Sequence, residues 1–181
     1  MSIDTAFGTD VIAGTWNIDA SHSEVGFTVR HLMSKVRGQF TSFEGSLTTG
    51  DSLESTRATA TIDLHSIDTR DAQRDAHLRS ADFFDVETHG QMTFTTTSFN
   101  GSVARGELSL KGVTKPVELE VEFLGIGQDP WGGQRLGFEA TTTINRKDWG
   151  VDFNIPLDGG KVLIGDKVTV HLAVEAVLSQ G

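Results

Sequence analysis

The sequence predicts an all-β protein with one or two short helices, whose strands form an antiparallel barrel. Apolar and polar residues alternate along most of the chain, as they do in strands with one buried and one solvated face. Turn signals such as Asn100-Gly101 and Asp158-Gly159-Gly160 separate these runs at short intervals. About eight or nine strands result. So many strands need a sandwich or a closed barrel to protect their edges, and we favour the barrel.

The strand assignments follow from this period-two alternation. The clearest run places four apolar residues opposite Glu118, Glu120 and Glu122, and threonines occupy the outer face of several other runs. The apolar faces of the predicted strands are Val25, Phe27 and Val29; Ala58, Ala60, Ile62 and Leu64; Met92 and Phe94; Val117, Leu119, Val121 and Phe123; Leu136, Phe138, Ala140 and Ile144; and Val168, Val170, Leu172, Val174, Ala176 and Leu178.

Residues 68–82 break the alternation and predict a helix. The segment has good helix formers, lacks Gly and Pro, and can be capped at its start by Asp68 and Thr69. Its apolar stripe is thin, so we expect the helix to lie across a surface or an opening, with two phenylalanines anchoring its exit. The stripe and the anchors are Ala72, Ala76 and Leu78, and Phe83 and Phe84. A second short helical or irregular piece is expected at 31–35.

Composition limits the classes of partner. A chain of 181 residues suits one domain, which we place at residues 14–181 after an arm at residues 1–13. The formal net charge of −10 gives no general attraction to nucleic acids or anionic lipid surfaces. Either partner would need a local basic patch, and no stretch of the sequence is long enough to form one. We therefore expect no nucleic-acid partner.

Cysteine content and the amino terminus bear on chemistry and location. The chain has no cysteine, which excludes disulfides, thiolate metal sites and cysteine catalysis. Residues 1–14 lack a basic region and an apolar run of signal-peptide length, and no stretch approaches transmembrane length. These observations predict a cytoplasmic protein without an integral membrane segment.

Four sequence blocks carry a family resemblance over nearly the whole chain. The first keeps a characteristic spacing of His31, Ser34, Val36, Gly38 and Phe40. The blocks are HSEVGFTVRHLMSKVRGQFTSFEG from His22, SIDTRDAQRDAHLRSADFFDVETHGQMTF from Ser66, GELSLKGVTKPVELEVEFLG from Gly106 and FEATTTINRKDWGVDFN from Phe138. In this order they are similar to the YceI-like family of lipocalin-like, polyisoprenoid-binding proteins.

This resemblance implies an extended antiparallel lipocalin-like β-barrel of about eight strands, closed at one end and partly covered by the helix. It also implies an apolar tunnel that holds a long-chain lipid, such as a polyisoprenoid or an isoprenoid quinone, without catalysis and without a cofactor. The residues alone leave open a barrel filled by its own side chains, because inward faces look alike in both cases.

Ten apolar residues are candidates for the lining or rim of the tunnel: Phe27, Val29, Phe40, Leu64, Phe84, Phe94, Leu110, Phe123, Phe138 and Trp149. The densest basic stretch, with no acid among residues 30–37, supplies candidates for a phosphate or quinone head group. These are Arg30, His31, Lys35 and Arg37. For the basic residues of the predicted helix, Arg70, Arg74, His77 and Arg79, we expect ion pairs with the nearby Asp71, Asp75 and Asp82.

Two other classes of function remain open at this point. An enzyme acting on a hydrophobic molecule could use His31 or His22 with a carboxylate such as Asp152, although no catalytic spacing is recognisable. A filled barrel could instead bind a protein on its outer face, and half-covered edges leave a homodimer open. The six histidines lack the close spacing of a zinc motif, so we expect no metal site.

Overall fold

The computed structural model describes residues 12–179, apart from the side chain of Leu53. The described part consists of eleven strands and one α-helix, and 3₁₀ turns occur in several of the connections. The elements are β1 (Gly14–Ile18), β2 (Glu24–His31), β3 (Ser34–Phe40), β4 (Phe43–Thr49), β5 (Arg57–Asp63), β6 (Ile67–Asp68), α1 (Ala72–Arg79), β7 (Gln91–Phe99), β8 (Val103–Leu110), β9 (Val113–Gln128), β10 (Gln134–Asn145) and β11 (Ile164–Leu178). Of the predicted arm, residues 1–11 lie outside the described residues.

Eight of the strands close into an antiparallel ring in the order β1, β4, β5, β7, β8, β9, β10 and β11. The ring closes where β11 pairs with β1, with Trp16 opposite Leu178 and Ile18 opposite Ala176. The predicted antiparallel barrel is therefore confirmed. Closure satisfies the backbone groups of every ring strand along the paired segments, which removes the exposed edges of an open sheet.

A hairpin extends the sheet beyond this ring. The amino-terminal half of β11 pairs with β2 instead of β1, with Val168 opposite Val29. β2 then pairs with β3 along its whole length. The short helical or irregular piece predicted at 31–35 is instead the tip of this hairpin. Its turn contains Leu32 at a φ of 55°, a left-handed conformation that usually calls for Gly, Asn or Asp, and the sequence gives no such signal there.

The helix is shorter than predicted and begins later. Its N-cap is Asp71, whose carboxylate accepts hydrogen bonds from the backbone N–H groups of Gln73 (3.0 Å) and Arg74 (3.1 Å). The prediction of a cap at Asp68 or Thr69 is wrong, because Asp68 still belongs to β6 and pairs with Gln39 of β3.

The inward face of α1 combines polar side chains with Leu78, which packs against buried apolar residues. Ala72 and Ala76, two members of the predicted apolar stripe, are exposed, whereas Asp75 is buried. The Asp75 carboxylate accepts hydrogen bonds from the buried Thr69, from its backbone N–H at 2.9 Å and from its hydroxyl. Arg74 donates to the Thr69 hydroxyl at 2.7 Å and to its carbonyl at 2.6 Å. Hydrogen bonds to the chain just before the helix therefore hold α1 in place.

Residues 12–179 contain three packed apolar clusters, and the two larger ones lie towards opposite ends of the barrel. The larger one lies beneath α1 and contains Phe83, with Phe84 packed against it, so the predicted exit anchors are confirmed. The smaller one closes the far end, and its members are nearly inaccessible: Trp16 (0% exposed), Leu136 (1%) and Ala176 (0%). The far end of the barrel is therefore closed by packed side chains.

Gly38 and Gly45 make room for neighbouring side chains. A Cβ on Gly38 would collide with the Phe27 ring and lie 2.9 Å from Thr69 Cγ2. A Cβ on Gly45 would lie 2.7 Å from Ile18 Cδ1. These glycines let strand faces approach closely, and the space that they leave is already filled.

Replacing Gly38 should therefore destabilise the fold. We expect Gly38→Ala to lower the free energy of unfolding by about 1–3 kcal/mol, because the new methyl group overpacks against the Phe27 ring. Gly127→Ala is the matched control, since nothing lies within 4 Å of its Cβ position. Urea unfolding followed by circular dichroism measures both, and equal stabilities for the two variants would contradict the packing described here.

A charged network ties the far end of the barrel together. Arg135 of β10 donates hydrogen bonds to Asp19 Oδ2 at 2.9 Å, to Asp129 Oδ2 at 3.0 Å and to Glu175 Oε1 at 3.2 Å. Hydrogen bonds from Ser21, Arg135 and His22 hold the pKa of Asp19 well below its ordinary value of 3.8. The backbone N–H of Gly133, together with Arg135, lowers the pKa of Asp129 in the same direction.

This network should make the protein less stable in acid. Both carboxyl groups have lower pKa values in the folded chain, so their contribution is complete above pH 3.8 and is lost as the pH falls through the folded-state values. We expect Arg135→Met to lower stability at neutral pH and to flatten the further loss between about pH 4 and pH 2. Chemical unfolding at a series of pH values measures this.

Arg105→Met is the control for Arg135→Met. Arg105 pairs with Glu118 at 3.0 Å, but both side chains are largely exposed, at 65% and 62%. Exposed pairs of this kind contribute little, so the pH profile should stay unchanged. If the wild type and Arg135→Met lose the same amount of stability between about pH 4 and pH 2, the network is not the source of the acid sensitivity.

Candidate ligand-binding cavity

The inward side chains of the barrel do not meet in the middle. They enclose a cavity of about 450 Å³, lined almost wholly by apolar residues. That volume lies within the range of roughly 300–1,000 Å³ that is common for small-molecule sites. The alternative of a barrel filled by its own side chains is therefore not what the structure shows.

The accessibility of the inward faces gives the same result. Phe27 and Val29 of β2 and Val170 and Leu172 of β11 point into the barrel, yet all four are only partly buried. Ala176, on the same face of β11 but within the far-end cluster, is completely buried. The strands thus enclose packed side chains at the far end and accessible apolar surface along the middle.

The cavity is long and narrow. On β11 its lining runs from Ile164 to Val174, which corresponds to roughly 33 Å of strand at the usual rise per residue. Barrel strands tilt by about 40° from the axis, so the length along the axis is roughly 25 Å. The shape suits an extended chain better than a compact molecule.

The cavity reaches the surface at the end opposite the Trp16 cluster. Two lining residues mark this mouth: Ile155, which is 45% exposed, and His77 of α1, whose side chain is 45% exposed. Arg74 and Leu78 of the helix also line the cavity. The helix therefore covers part of the mouth, and the far-end cluster packs the other end.

Arg146 is a buried charged residue of the lining. Its guanidinium donates hydrogen bonds to the carbonyls of Val151 (2.7 Å), Gly165 (2.8 Å) and Phe153 (3.0 Å). Burial lowers the pKa of Arg146 from its ordinary value, an effect opposed by the charges of Asp166 and Asp152. These bonds hold the loop between β10 and β11 in place beside the mouth. Strand periodicity gives no signal for Arg146, because the residue follows the end of β10.

His77 is another polar residue at the mouth, and the sequence predicted only an ion pair on the helix for it. Its imidazole makes edge contacts with the rings of Phe83 and Phe153, each at a centroid distance of 5.0 Å. Its Nε2 lies 2.9 Å from Asp82 Oδ2, so the partner expected for this residue is within hydrogen-bonding distance. Arg79, in contrast, donates to the carbonyls of His65 and Ile67.

Most of the ten apolar candidates lie along the cavity. The residues of this group that line it are Phe27, Val29, Phe40, Phe84, Phe94, Leu110 and Phe138. Leu64 and Trp149 are instead buried in the cluster beneath the helix, where Trp149 Nε1 donates to the Leu108 carbonyl at 2.9 Å. Phe123 lies opposite Phe138 and packs against the far-end cluster.

The four head-group candidates separate onto two faces of the hairpin. His31 lines the cavity, whereas Arg30, Lys35 and Arg37 are exposed on the outer face. Strand alternation explains the division, because Arg30 pairs with Lys35 across the hairpin and Arg37 follows Lys35 at a spacing of two. The sequence did not reveal which of the four face the ligand space.

The residues considered for catalysis are dispersed. His22 Nδ1 lies 2.8 Å from Asp19 Oδ2 at the bend after β1, whereas His31 lines the cavity and Asp152 is exposed on the loop after β10. Within residues 12–179 no three His, Asp or Glu side chains come together as metal ligands. The same residues contain no helix with the length and apolar character needed to cross a bilayer.

An eight-stranded antiparallel β-barrel with an elongated apolar cavity is the class of protein that these features define. The sequence matches the family model of the YceI-like domain over residues 16–176. A UPF0312 protein of Staphylococcus epidermidis is 42% identical over 164 residues, which cover 88% of this chain and 95% of that protein. The chain belongs to the YceI-like family.

Solved structures show the same fold. A YceI protein of Campylobacter jejuni matches with a TM-score of 0.70 and 28% identity, covering 90% of this chain and 96% of the other. A polyisoprenoid-binding domain of Saccharophagus degradans matches with a TM-score of 0.71 and 16% identity, covering 93% and 100% of the two chains. The barrel is thus shared by proteins with little sequence in common.

Two substitutions on the inward face of β11 distinguish the cavity from the packed end. We expect Val170→Phe to leave the free energy of unfolding unchanged or raise it by up to ~2 kcal/mol, because the added atoms enter the cavity. Ala176→Phe should lower it by about 1–3 kcal/mol or more, because its site is already full. Urea unfolding measures both, and an equally large loss for the two variants would contradict a cavity at Val170.

Proposed function

We propose that this protein binds one long apolar molecule, a polyisoprenoid or an isoprenoid quinone, and shields it from water as a carrier, store or buffer. The observation that carries this proposal is the elongated cavity whose apolar inward faces remain accessible between the packed far end and the mouth beside α1. The polyisoprenoid-binding domain of Saccharophagus degradans, which has the same fold, supports the choice of ligand class. No chemical step is part of the proposal.

The energetics favour binding that is reversible. Burying a forty-carbon chain would nominally contribute more than ~30 kcal/mol at ~0.8 kcal/mol per methylene group. That exceeds the practical limit of ~18–21 kcal/mol for non-covalent affinity. Ordering the flexible chain and withdrawing it from a bilayer or micelle offset most of this term. A moderate net affinity suits a protein that takes up a lipid and releases it again.

The cavity suggests a direction for the bound chain. We assign the tail to the apolar lining of the barrel, where Phe94 and Phe138 lie deep in the interior, and the head group to the mouth. His31, Arg74 and His77 line the cavity there and carry the polar groups of the lining at this end. An oxygen-bearing head group, such as a phosphate or a quinone, could accept hydrogen bonds from these side chains.

Gentle purification followed by native mass spectrometry tests the proposal. We expect the wild-type protein to carry a long-chain prenyl lipid that organic extraction recovers, and to bind an added long-chain prenyl alcohol in titration. Val170→Phe should weaken that binding about tenfold, because its ring displaces roughly two methylene groups of the ligand from the cavity.

His171→Trp is the matched control for Val170→Phe. His171 neighbours Val170 on β11, but its side chain is exposed on the outer face of the barrel. Binding by this variant should equal that of the wild type. The proposal fails if gentle preparations always lack lipid and neither a prenyl nor an acyl chain binds in titration.

A further inference from the structure

Exposed apolar side chains are concentrated at the mouth of the cavity. Within residues 12–179, the large hydrophobic residues that are exposed are Ile12, Leu32, Met33, Leu124, Trp131, Ile155 and Val162. Four of them, Leu32, Met33, Ile155 and Val162, lie on the tip of the β2–β3 hairpin and on the loop between β10 and β11; we call them the apolar tip. Met33 is 97% exposed and Leu32 is 51% exposed. Grouped exposure of this kind marks an interaction surface.

Backbone hydrogen bonds join the two segments of the apolar tip. The Leu32 N–H donates to the Leu163 carbonyl at 2.9 Å, and the Leu163 N–H donates to the Ile155 carbonyl at 3.0 Å. Pro156 and Val162 form an isolated antiparallel bridge within the loop. The hairpin and the loop therefore present their apolar side chains from one continuous, hydrogen-bonded surface.

This surface is continuous with the cavity. Ile155 belongs to the apolar tip and also lines the cavity. Leu163, which hydrogen-bonds to both Leu32 and Ile155, lines the cavity as well. His31, the residue before Leu32, is a further lining residue. An apolar chain leaving the cavity at Ile155 would thus emerge among the exposed side chains of the tip.

A row of positive charge lies beside the apolar tip. Arg30, Lys35 and Arg37 share the outer face of the hairpin, and residues 30–37 contain no acid. Arg30 and Lys35 are directly opposite each other, an arrangement of like charges that is unfavourable in a sheet. Folding thus brings three residues of the basic stretch at 30–37 onto one exposed face, on a chain of net charge −10. The expectation that no stretch could form a local basic patch is wrong.

We propose that the apolar tip docks on the surface of an anionic lipid bilayer, with Leu32 and Met33 entering the interface and the basic row meeting the lipid phosphates. Both chemical features of the surface match this partner: apolar side chains for the acyl region, and cations for its charged head groups. Docking would also let an apolar ligand pass between bilayer and cavity without crossing water, a consequence that rests on the proposed function.

Vesicle co-sedimentation of the full chain tests the docking. We expect binding to phosphatidylcholine vesicles to strengthen when phosphatidylglycerol is included and to weaken at high salt. Met33→Ser should lower binding at least about tenfold, since it removes one buried apolar side chain from the interface. Lys35→Gln should lower binding about fivefold on vesicles with phosphatidylglycerol and leave binding to phosphatidylcholine vesicles unchanged.

Trp131→Ser is the matched control, because Trp131 is 84% exposed on the loop between β9 and β10, at the opposite end of the barrel. Its binding should equal that of the wild type. Absence of vesicle binding by the wild type, or an equal loss in Met33→Ser and Trp131→Ser, would overturn the proposal. So would sedimentation equilibrium showing that the wild type is a dimer that Met33→Ser dissociates, because the tip would then be a protein interface.

Docking and the proposed function can fail separately. Co-sedimentation with preformed vesicles reports on the outer surface of the protein, whereas extraction of the purified protein reports on the contents of its cavity. Vesicle binding without any extractable or titratable lipid would retain the docking and reject lipid carriage. A lipid-loaded protein that does not bind vesicles would retain lipid carriage and reject the docking.

Discussion

Closure of the eight-stranded ring is the constraint on which the rest of the structure depends. Because β11 pairs with β1, the backbone groups of the ring strands are satisfied by their neighbours, and the barrel has no need of a second sheet to cover an edge. Packed clusters beneath α1 and at the far end supply the tightly buried hydrophobic surface. The middle can therefore remain a cavity, because the ring and these clusters are stabilised without it.

Polar side chains that hydrogen-bond to neighbouring segments of the chain hold the mouth of this cavity in place. Arg146 bonds to the carbonyls of the loop after β10, and Asp75 and Arg74 bond to Thr69 before the helix. Buried polar groups of this kind are tolerated because each has partners. The consequence is a mouth with defined walls, beside which the hairpin and the loop extend their exposed apolar side chains.

For the proposed carrier, affinity and exchange impose opposite demands, and the proposals assign them to different parts of the barrel. The apolar interior would retain a long chain, whereas the helix, the polar residues at the mouth and the apolar tip would surround its route of entry and exit. A ligand that resides in bilayers gains little by dissociating into water. For the proposed carrier, contact between the mouth and a membrane therefore affects the rate of lipid exchange more than the affinity of the interior does.

The sequence by itself determined the antiparallel strands, the single helix with its phenylalanine anchors and the YceI-like resemblance, because alternation and short motifs are local properties. Seven of its ten candidate residues lie along the cavity, and six of the seven are on strands, where alternation indicates the inward face. Leu64, Phe123 and Trp149 pack in the clusters instead, and which inward residues form a cluster depends on distant strands. Only the tertiary structure decided that the barrel encloses a cavity and that Arg146 lies in its lining. These features arise from the distances between elements far apart in the chain, which no local pattern encodes.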